Sequence, residues 1–388
     1  MDFDVAVSGA GVVGMATALA FQLQGYRVLV IEASGPSSSI GKLGFDLRTL
    51  ALTPSNSKWL TSLALPESVF NRGIERMHVW ERDGTGYMSF DPRSVGSPVL
   101  GWIVEHHLLH EALRALVLER ATLVENLRIV AIDGLQRTLK LSDSSEINCR
   151  LLCIAEGPNS QSRELAGASC HMDDLGQSAV VTVARMEEGH SGTAWQKFGD
   201  GVLALLPLSN EQFVSVIWSV SEKACRNLLA MEGIDFCNRL EEACERVCGK
   251  VLEVDERISF PLTQSIANTF NPQPWIALIG DSAHTIHPLA GQGINIGLED
   301  ARSLAATCSK VDIRESRQLE LSRFAHRRKL KALAMMQLMA LFLQTWSWTT
   351  PTARWMRNVG VRVFNRTSPL KNQLMREAMG FGPLGQSN

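Results

Sequence analysis

Short apolar runs that end in glycine, each followed by helical periodicity, organise this chain. Asp4-Val5-Ala6-Val7 reads as a buried strand. A helical pattern from Met15 to Gln24 follows, Gly25 closes it, and Arg27 to Ile31 forms a second strand ending in Glu32. Pro274-Trp275-Ile276-Ala277-Leu278-Ile279 is another short buried strand, with a helical pattern opening near Gly293. Between these units the period changes. Ala179-Val180-Val181-Thr182-Val183 and Phe213-Val214-Ser215-Val216-Ile217-Trp218 predict antiparallel strands. A helix near His106–Leu118 and a strand at Leu151–Ala155 return the chain to its first unit. The pattern predicts an α/β protein with a discontinuous nucleotide-binding domain (1–70, 100–177 and 276–311). A β-rich domain (71–99 and 178–275) is interleaved with it, and a helical C-terminal region covers 312–388.

Two glycine clusters sit at the ends of those strands. Gly9-Ala10-Gly11-Val12-Val13-Gly14 lies between the first strand and the first helix, and Glu32 follows about 20 positions on. In that context Gly9 makes the tight turn, Gly11 admits a pyrophosphate, Gly14 lets helix and strand pack closely, and Glu32 binds a ribose. Glu32 argues against a 2′-phosphate, because two negative charges would repel. The second cluster runs Gly280-Asp281-Ser282-Ala283-His284, through Pro288, to Gly291-Gln292-Gly293-Ile294-Asn295-Ile296-Gly297. Asp281 stands at a strand's carboxyl edge, where it can accept from ligand hydroxyls, and the glycines bring backbone N–H groups to a helix N-terminus. A polyol beside an electron-rich ring suits such a site, and FAD has both.

On these motifs the chain resembles the class A flavoprotein monooxygenases, closest to the branch that hydroxylates the ring in ubiquinone biosynthesis. The resemblance extends through Asp46-Leu47-Arg48 with Ala51-Leu52, and Ala155-Glu156-Gly157-Pro158-Asn159-Ser160 with Arg163. It continues in Trp195-Gln196-Lys197-Phe198 with Leu206-Pro207-Leu208, and in Leu374-Met375-Arg376 with Ala378-Met379-Gly380. It implies a Rossmann-like FAD domain with an inserted antiparallel substrate sheet covering the reacting ring. By resemblance, oxygen reaches an electron-rich phenol through a flavin C4a-hydroperoxide. Asp281 would hold the ribitol chain, Arg48 would neutralise part of the cofactor, and Pro288 would line the reacting face. Backbone N–H groups from Gly293 to Asn295 would stabilise negative charge on the flavin. Val13, Gly291 and Ile294 complete the implied cofactor set. No second strand-anchored glycine fingerprint offers a nicotinamide domain, and Glu156 stands where the family usually has Asp. NAD(P)H and a protein partner therefore both stand as electron donors.

Composition adds limits. The net charge of −2 gives no nucleic-acid footprint. The eight cysteines include no C-x-x-C pair and read as buried reduced thiols, Cys149 and Cys153 on a strand and Cys244 and Cys248 on a helix. No metal-ligand cluster is read. His284 and His287 are placed near the flavin, with backbone hydrogen bonding ahead of proton transfer. Of the two tyrosines, Tyr26 is far from the ring, which leaves only Tyr87 for a proton relay that is not expected. The chain starts on its first strand without a basic-then-apolar leader and reads as cytoplasmic.

The C-terminal region is different. Arg323, Arg327, Arg328, Lys329 and Lys331 precede an uncharged stretch from Ala332 to Trp348, and Arg354, Arg357, Arg362 and Arg366 follow. That stretch is marginal as a span. It packs against the FAD domain, or it meets an inner-membrane surface with Trp346, Trp348 and Trp355 at the interface. The expected function is ring hydroxylation of a polyprenylated phenol or quinol with O2. The alternatives are hydroxylation of a small soluble aromatic, or an FAD-bearing scaffold in a quinone-biosynthesis complex. A long isoprenoid tail would require an apolar tunnel.

Overall fold

In the computed structural model the described residues are 2–35, 40–81, 87–199, 201–286, 292–309, 318–347 and 368–382. Pro288, Gly291 and His287 lie outside them. So do Trp348, Trp355 and the arginines at 354, 357, 362 and 366.

The strand Phe3–Ser8, buried along nearly its whole length, pairs in parallel with Val28–Glu32 on one side and Glu146–Ile154 on the other. Thr122–Glu125 extends the sheet beyond Val28–Glu32, and Ile276–Leu278 lies against Glu146–Ile154, both also parallel. Parallel strands need covered faces, so they read as continuous apolar runs. The helices Val12–Leu23, His106–Arg120 and Gln292–Ser309 supply the cover. The first half of Glu146–Ile154 turns outward to pair antiparallel with Thr138–Leu141, which pairs with Ile129–Asp133.

The second sheet has nine strands, with Arg76–Glu81, Thr193–Gly199, Gly201–Pro207, Phe213–Ser221 and Cys170–Met186 in its body. All its pairings are antiparallel except Thr193–Gly199 with Arg76–Glu81. Cys170–Met186 is a single 17-residue strand, so this sheet begins eight residues before the expected boundary at 178. A register shift between Asp174 and Gln177, with Gly176 at φ 62°, bends the strand across that boundary. A small sheet of Thr49–Leu52, Trp102–Glu105 and Arg72–Gly73 joins the two layers.

Alternation in the large sheet separates two faces. Leu203, Leu205, Val214, Val216, Trp218 and Val220 pack against the helices Glu222–Ala230 and Gly233–Ala243. Their neighbours in sequence face the nucleotide-binding layer. All eight cysteines are free thiols. Cys244 and Cys248 are not on a helix as expected. The helix Gly233–Ala243 ends before them, because Glu245 and Arg246 take left-handed backbone angles, φ 55° and 56°.

The C-terminal helix Gln318–Ser347 is anchored along its first half by Leu321, Phe324, Ala325, Arg328, Ala332 and Met336, all buried. Leu330, Leu338 and Leu341 on its other side are about half exposed. No helix among the described residues is long and apolar enough to cross a membrane.

Candidate functional site

The glycine turn has the geometry its residues demand. Gly9 has φ 102°, and a Cβ there would stand 2.4 Å from the Ala155 carbonyl oxygen. At Gly14 a Cβ would meet the Gly9 oxygen at 1.9 Å, so helix and turn touch through backbone alone. Gly11 differs: nothing lies within 4 Å of its missing side chain. Free space in front of a helix N-terminus is what a pyrophosphate requires. Glu32 accepts from the Ala10 N–H at 2.6 Å and from Ser34, which fixes its carboxylate at the mouth of the turn.

The second cluster meets the first through Val13, half-buried. A Cβ on Gly280 would stand 3.3 Å from a Val13 methyl carbon, and one on Gly297 2.9 Å from another. The Val13 side chain therefore wedges two helices and the Gly280 turn together, which leaves only its backbone for a cofactor. Asp281, in the short turn Gly280–Ser282, is exposed, and no described group bonds its carboxylate. The surrounding protein raises its pKa through desolvation, with Asp300 adding to the rise and His284 opposing it. Such an accessible acceptor, unbonded among the described residues, suits a ligand hydroxyl.

His284 bonds a side chain, where a backbone partner was expected. Buried, its Nε2 is hydrogen-bonded to the Asp300 carboxylate at 2.6 Å. Asp300 also accepts from the Gly280 N–H and from Arg328 on the C-terminal helix, and Arg328 bonds the Ile296 carbonyl at 3.1 Å. Burial works against the Asp300 charge, but Arg328 and His284 outweigh it and hold the carboxyl below its ordinary pKa. This ionic network ties the first half of the C-terminal helix to the Gly280 turn.

Glu156 is also turned inward. Its carboxylate is bonded by the hydroxyls of Ser8, Ser160 and Ser162 and by the Ser162 N–H at 3.0 Å. Glu156 thus ties the first strand to the start of the helix Gln161–Leu165. Arg163, buried, donates to the carbonyls of Pro158 and Ser282, at 3.0 and 3.2 Å, and so links the two loops. Arg48 is half-buried at the edge of the three-stranded sheet, where its charge helps depress His106. Burial is the larger cause, and together they push His106 down to about 4.

Gly293, Ile294 and Asn295 open the helix Gln292–Ser309 and line a cavity of about 420 Å³. First-turn N–H groups lack helical partners and carry the positive end of the helix dipole. The Asn295 side chain is used elsewhere. It donates to the Ala51 carbonyl at 2.7 Å and accepts from the Thr53 N–H at 2.9 Å, and Asn56 reaches it as well. These bonds pin the helix start to the small sheet. Thr53 and Asn56 were not singled out in the sequence; a Thr-Pro helix start was the available sign.

The rest of the cavity wall is largely apolar, with Thr49, Thr53, Gln196 and Ser219 as its polar members. It includes Ile74, Met77, Phe90, Val202, Leu206 and Ile217, while Leu374, Met375, Ala378 and Met379 close it from the helix Ser368–Ala378 and the turn after it. Among the described residues, no ionisable side chain lines it. Tyr87 sits outside, 45% exposed on a sheet edge, stacked on His78 and hydrogen-bonded to it.

A nucleotide-binding layer facing a second sheet across a largely apolar cavity is the arrangement expected of an FAD-dependent monooxygenase. A profile described as an FAD binding domain matches residues 117–338, more than half of the chain. The chain belongs to this FAD-binding family, in the branch of the ubiquinone-biosynthesis hydroxylases. It is 32% identical to 3-demethoxyubiquinol 3-hydroxylase of Escherichia coli, across 97% of this chain and 98% of that protein. It is 29% identical to ubiquinone hydroxylase UbiL of Rhodospirillum rubrum, covering 98% and 90%. Among solved structures, p-nitrophenol 4-monooxygenase from Pseudomonas putida superposes with a TM-score of 0.78 at 17% identity, covering 98% of each chain.

Proposed function

We propose that this protein hydroxylates the aromatic ring of a polyprenylated phenol or quinol, using FAD and O2. The cavity carries the reading. It is about 420 Å³, walled mostly by aliphatic and aromatic side chains, and reaches the Gly293–Asn295 segment where the flavin ring would lie. A charged or strongly polar substrate would lose its hydration there without replacement. Reduced FAD, when bound, supplies activated oxygen to an electron-rich ring. The chain's own residues bind and orient. Glu32 and Asp281 offer carboxylates to cofactor hydroxyls, Gly11 gives the pyrophosphate room, and the first-turn N–H groups at Gly293 to Asn295 present positive potential. The Leu374–Met379 wall keeps water out, which protects oxygen transfer from wasteful peroxide release. No proton donor is drawn from the lining, since none of its side chains ionises.

Single turnover tests this without knowledge of the electron donor. FAD-loaded protein is reduced anaerobically with dithionite, then mixed with 18O2 and a short-chain prenylated phenol. The product should carry one labelled oxygen on the ring. Quantitative return of unaltered phenol from fully FAD-loaded protein would sink the proposal.

The same reading puts the enzyme at a membrane surface, where so apolar a substrate resides. The half-exposed leucines Leu330, Leu338 and Leu341 share one side of the C-terminal helix and support it. Sedimentation with anionic liposomes should carry the protein down, and Leu338→Glu with Leu341→Glu should release it. Wild-type protein that stays in the supernatant at low salt argues against membrane contact and leaves a protein complex as the route to substrate.

A further inference from the structure

Most polar side chains around the cavity are already engaged. Thr49 pairs its hydroxyl with Ser215 at 2.8 Å, the Thr53 hydroxyl accepts from the Asn56 N–H at 3.3 Å, and the Asn295 amide is shared among Ala51, Thr53 and Asn56. Trp195, Ser219 and Gln196 have no such bond among the described residues, and of these only Gln196 carries an amide. It lines the cavity, is 6% exposed, and among the described residues no protein group bonds its amide. Its strand, Thr193–Gly199, is paired on both edges, antiparallel to Gly201–Pro207 and parallel to Arg76–Glu81. Only a side chain can therefore project from it. The next residue, Lys197, faces the opposite side, where its ammonium donates to the Ala243 carbonyl at 2.7 Å. By alternation the Gln196 amide faces the cavity. Directly across the strand pair stands Ala204, too small to cover it.

A primary amide that borders an apolar cavity without a protein partner is free to take one from a ligand. It offers both an N–H donor and a carbonyl acceptor, which together match a ring carrying a phenolic hydroxyl next to another oxygen. We propose that Gln196 orients the substrate ring in the cavity by hydrogen-bonding its oxygen substituents, and so selects oxygenated rings over bare ones. This rests on the proposed hydroxylation. Gln196 is a positioning residue and moves no proton. With the ring misplaced, the two electrons and O2 end as hydrogen peroxide in place of hydroxylated product and water.

The test compares a short-chain prenylated phenol with its analogue in which hydrogen replaces the ring hydroxyl. Wild-type protein should bind the phenol at least tenfold more tightly, read by the change in flavin absorbance. Gln196→Leu should bind both alike, keep its FAD, and divert most oxygen to hydrogen peroxide in single turnover. Gln196→Met, a smaller change in shape, should also lose the preference, because a thioether cannot donate and accepts only weakly. A Leu variant that keeps both the wild-type preference and its product yield overturns the role of Gln196 alone. So does wild-type protein that hydroxylates the phenol yet binds the two compounds equally, an outcome that needs no variant. Wild-type protein that neither binds nor hydroxylates the phenol overturns the functional reading beneath it.

Discussion

The two walls of the cavity are built on opposite principles. On the nucleotide side the chemistry lies in the backbone. Gly9, Gly11 and Gly14 shape a turn whose N–H groups are proposed to bind the cofactor, and side chains such as Val13 serve as packing. On the sheet side the backbone is fully consumed by strand pairing, and everything the cavity presents comes from alternate side chains such as Gln196, Ala204, Ile217 and Leu206. A backbone-made site tolerates little change at its glycines: a Cβ at Gly9 or Gly14 enters occupied space, and one at Gly11 fills the room proposed for the ligand. A side-chain-made site can be refitted to a new ligand without disturbing the strand ladder.

The largest effects should come from breaking the backbone wall. Gly14→Ala drives a methyl into the Gly9 carbonyl and should cost about 3 kcal/mol of stability, the upper range for overpacking. Thermal unfolding of the apoprotein measures it. Gly11→Val is the sharper companion. With no neighbour within 4 Å, it should leave the apoprotein's unfolding temperature nearly unchanged while calorimetry shows FAD affinity lost by about a hundredfold or more. If both variants unfold alike, the space before Gly11 is not the pyrophosphate seat.

On the sheet wall the order should reverse, with FAD retained and substrate lost. Ala204→Phe fills the cavity from a strand whose backbone is paired on both sides. It should lower kcat/KM for a prenylated phenol by about a hundredfold, roughly 2.7 kcal/mol. Normal turnover in this variant would place the substrate elsewhere.

A smaller effect tests the electrostatics around Arg48. Burial, and Arg48 after it, depresses His106 from 6.5 to about 4, so the unfolded chain takes up a proton in that interval while the folded protein does not. Stability contributed by the neutral ring is present above the unfolded value and is lost as pH falls from 6.5 toward 4. The linkage is worth about 2–3 kcal/mol at most. His106→Gln should flatten denaturant midpoints across that range relative to wild type. An identical pH slope in the variant would show that His106 is not the group responsible.

Much of the nucleotide half was legible in the chain. Strand, glycine turn, helix and terminal Glu32 fall within three residues of their expected places, since only glycine satisfies the close approaches at Gly9 and Gly14. The antiparallel strands were equally visible through alternation. The inward role of Glu156 was not. Its extra methylene reads as simple tolerance until Ser8, 148 residues away, is seen to bond it. His284 likewise reads as adjacent to the flavin. Only the folding of Arg328 and Asp300 onto it shows that its ring is committed to an ion network.

The sequence by itself determined the fold class and the geometry of the glycine turn, because local backbone requirements leave a local signature in glycine and apolar period. Tertiary structure alone decided which face of the large sheet borders the cavity, that Asn295 spends its amide on Ala51 and Thr53, and that Gln196 keeps its amide unpaired. Hydrogen-bond satisfaction depends on partners that meet only when distant strands and helices pack, and no spacing along the chain encodes it.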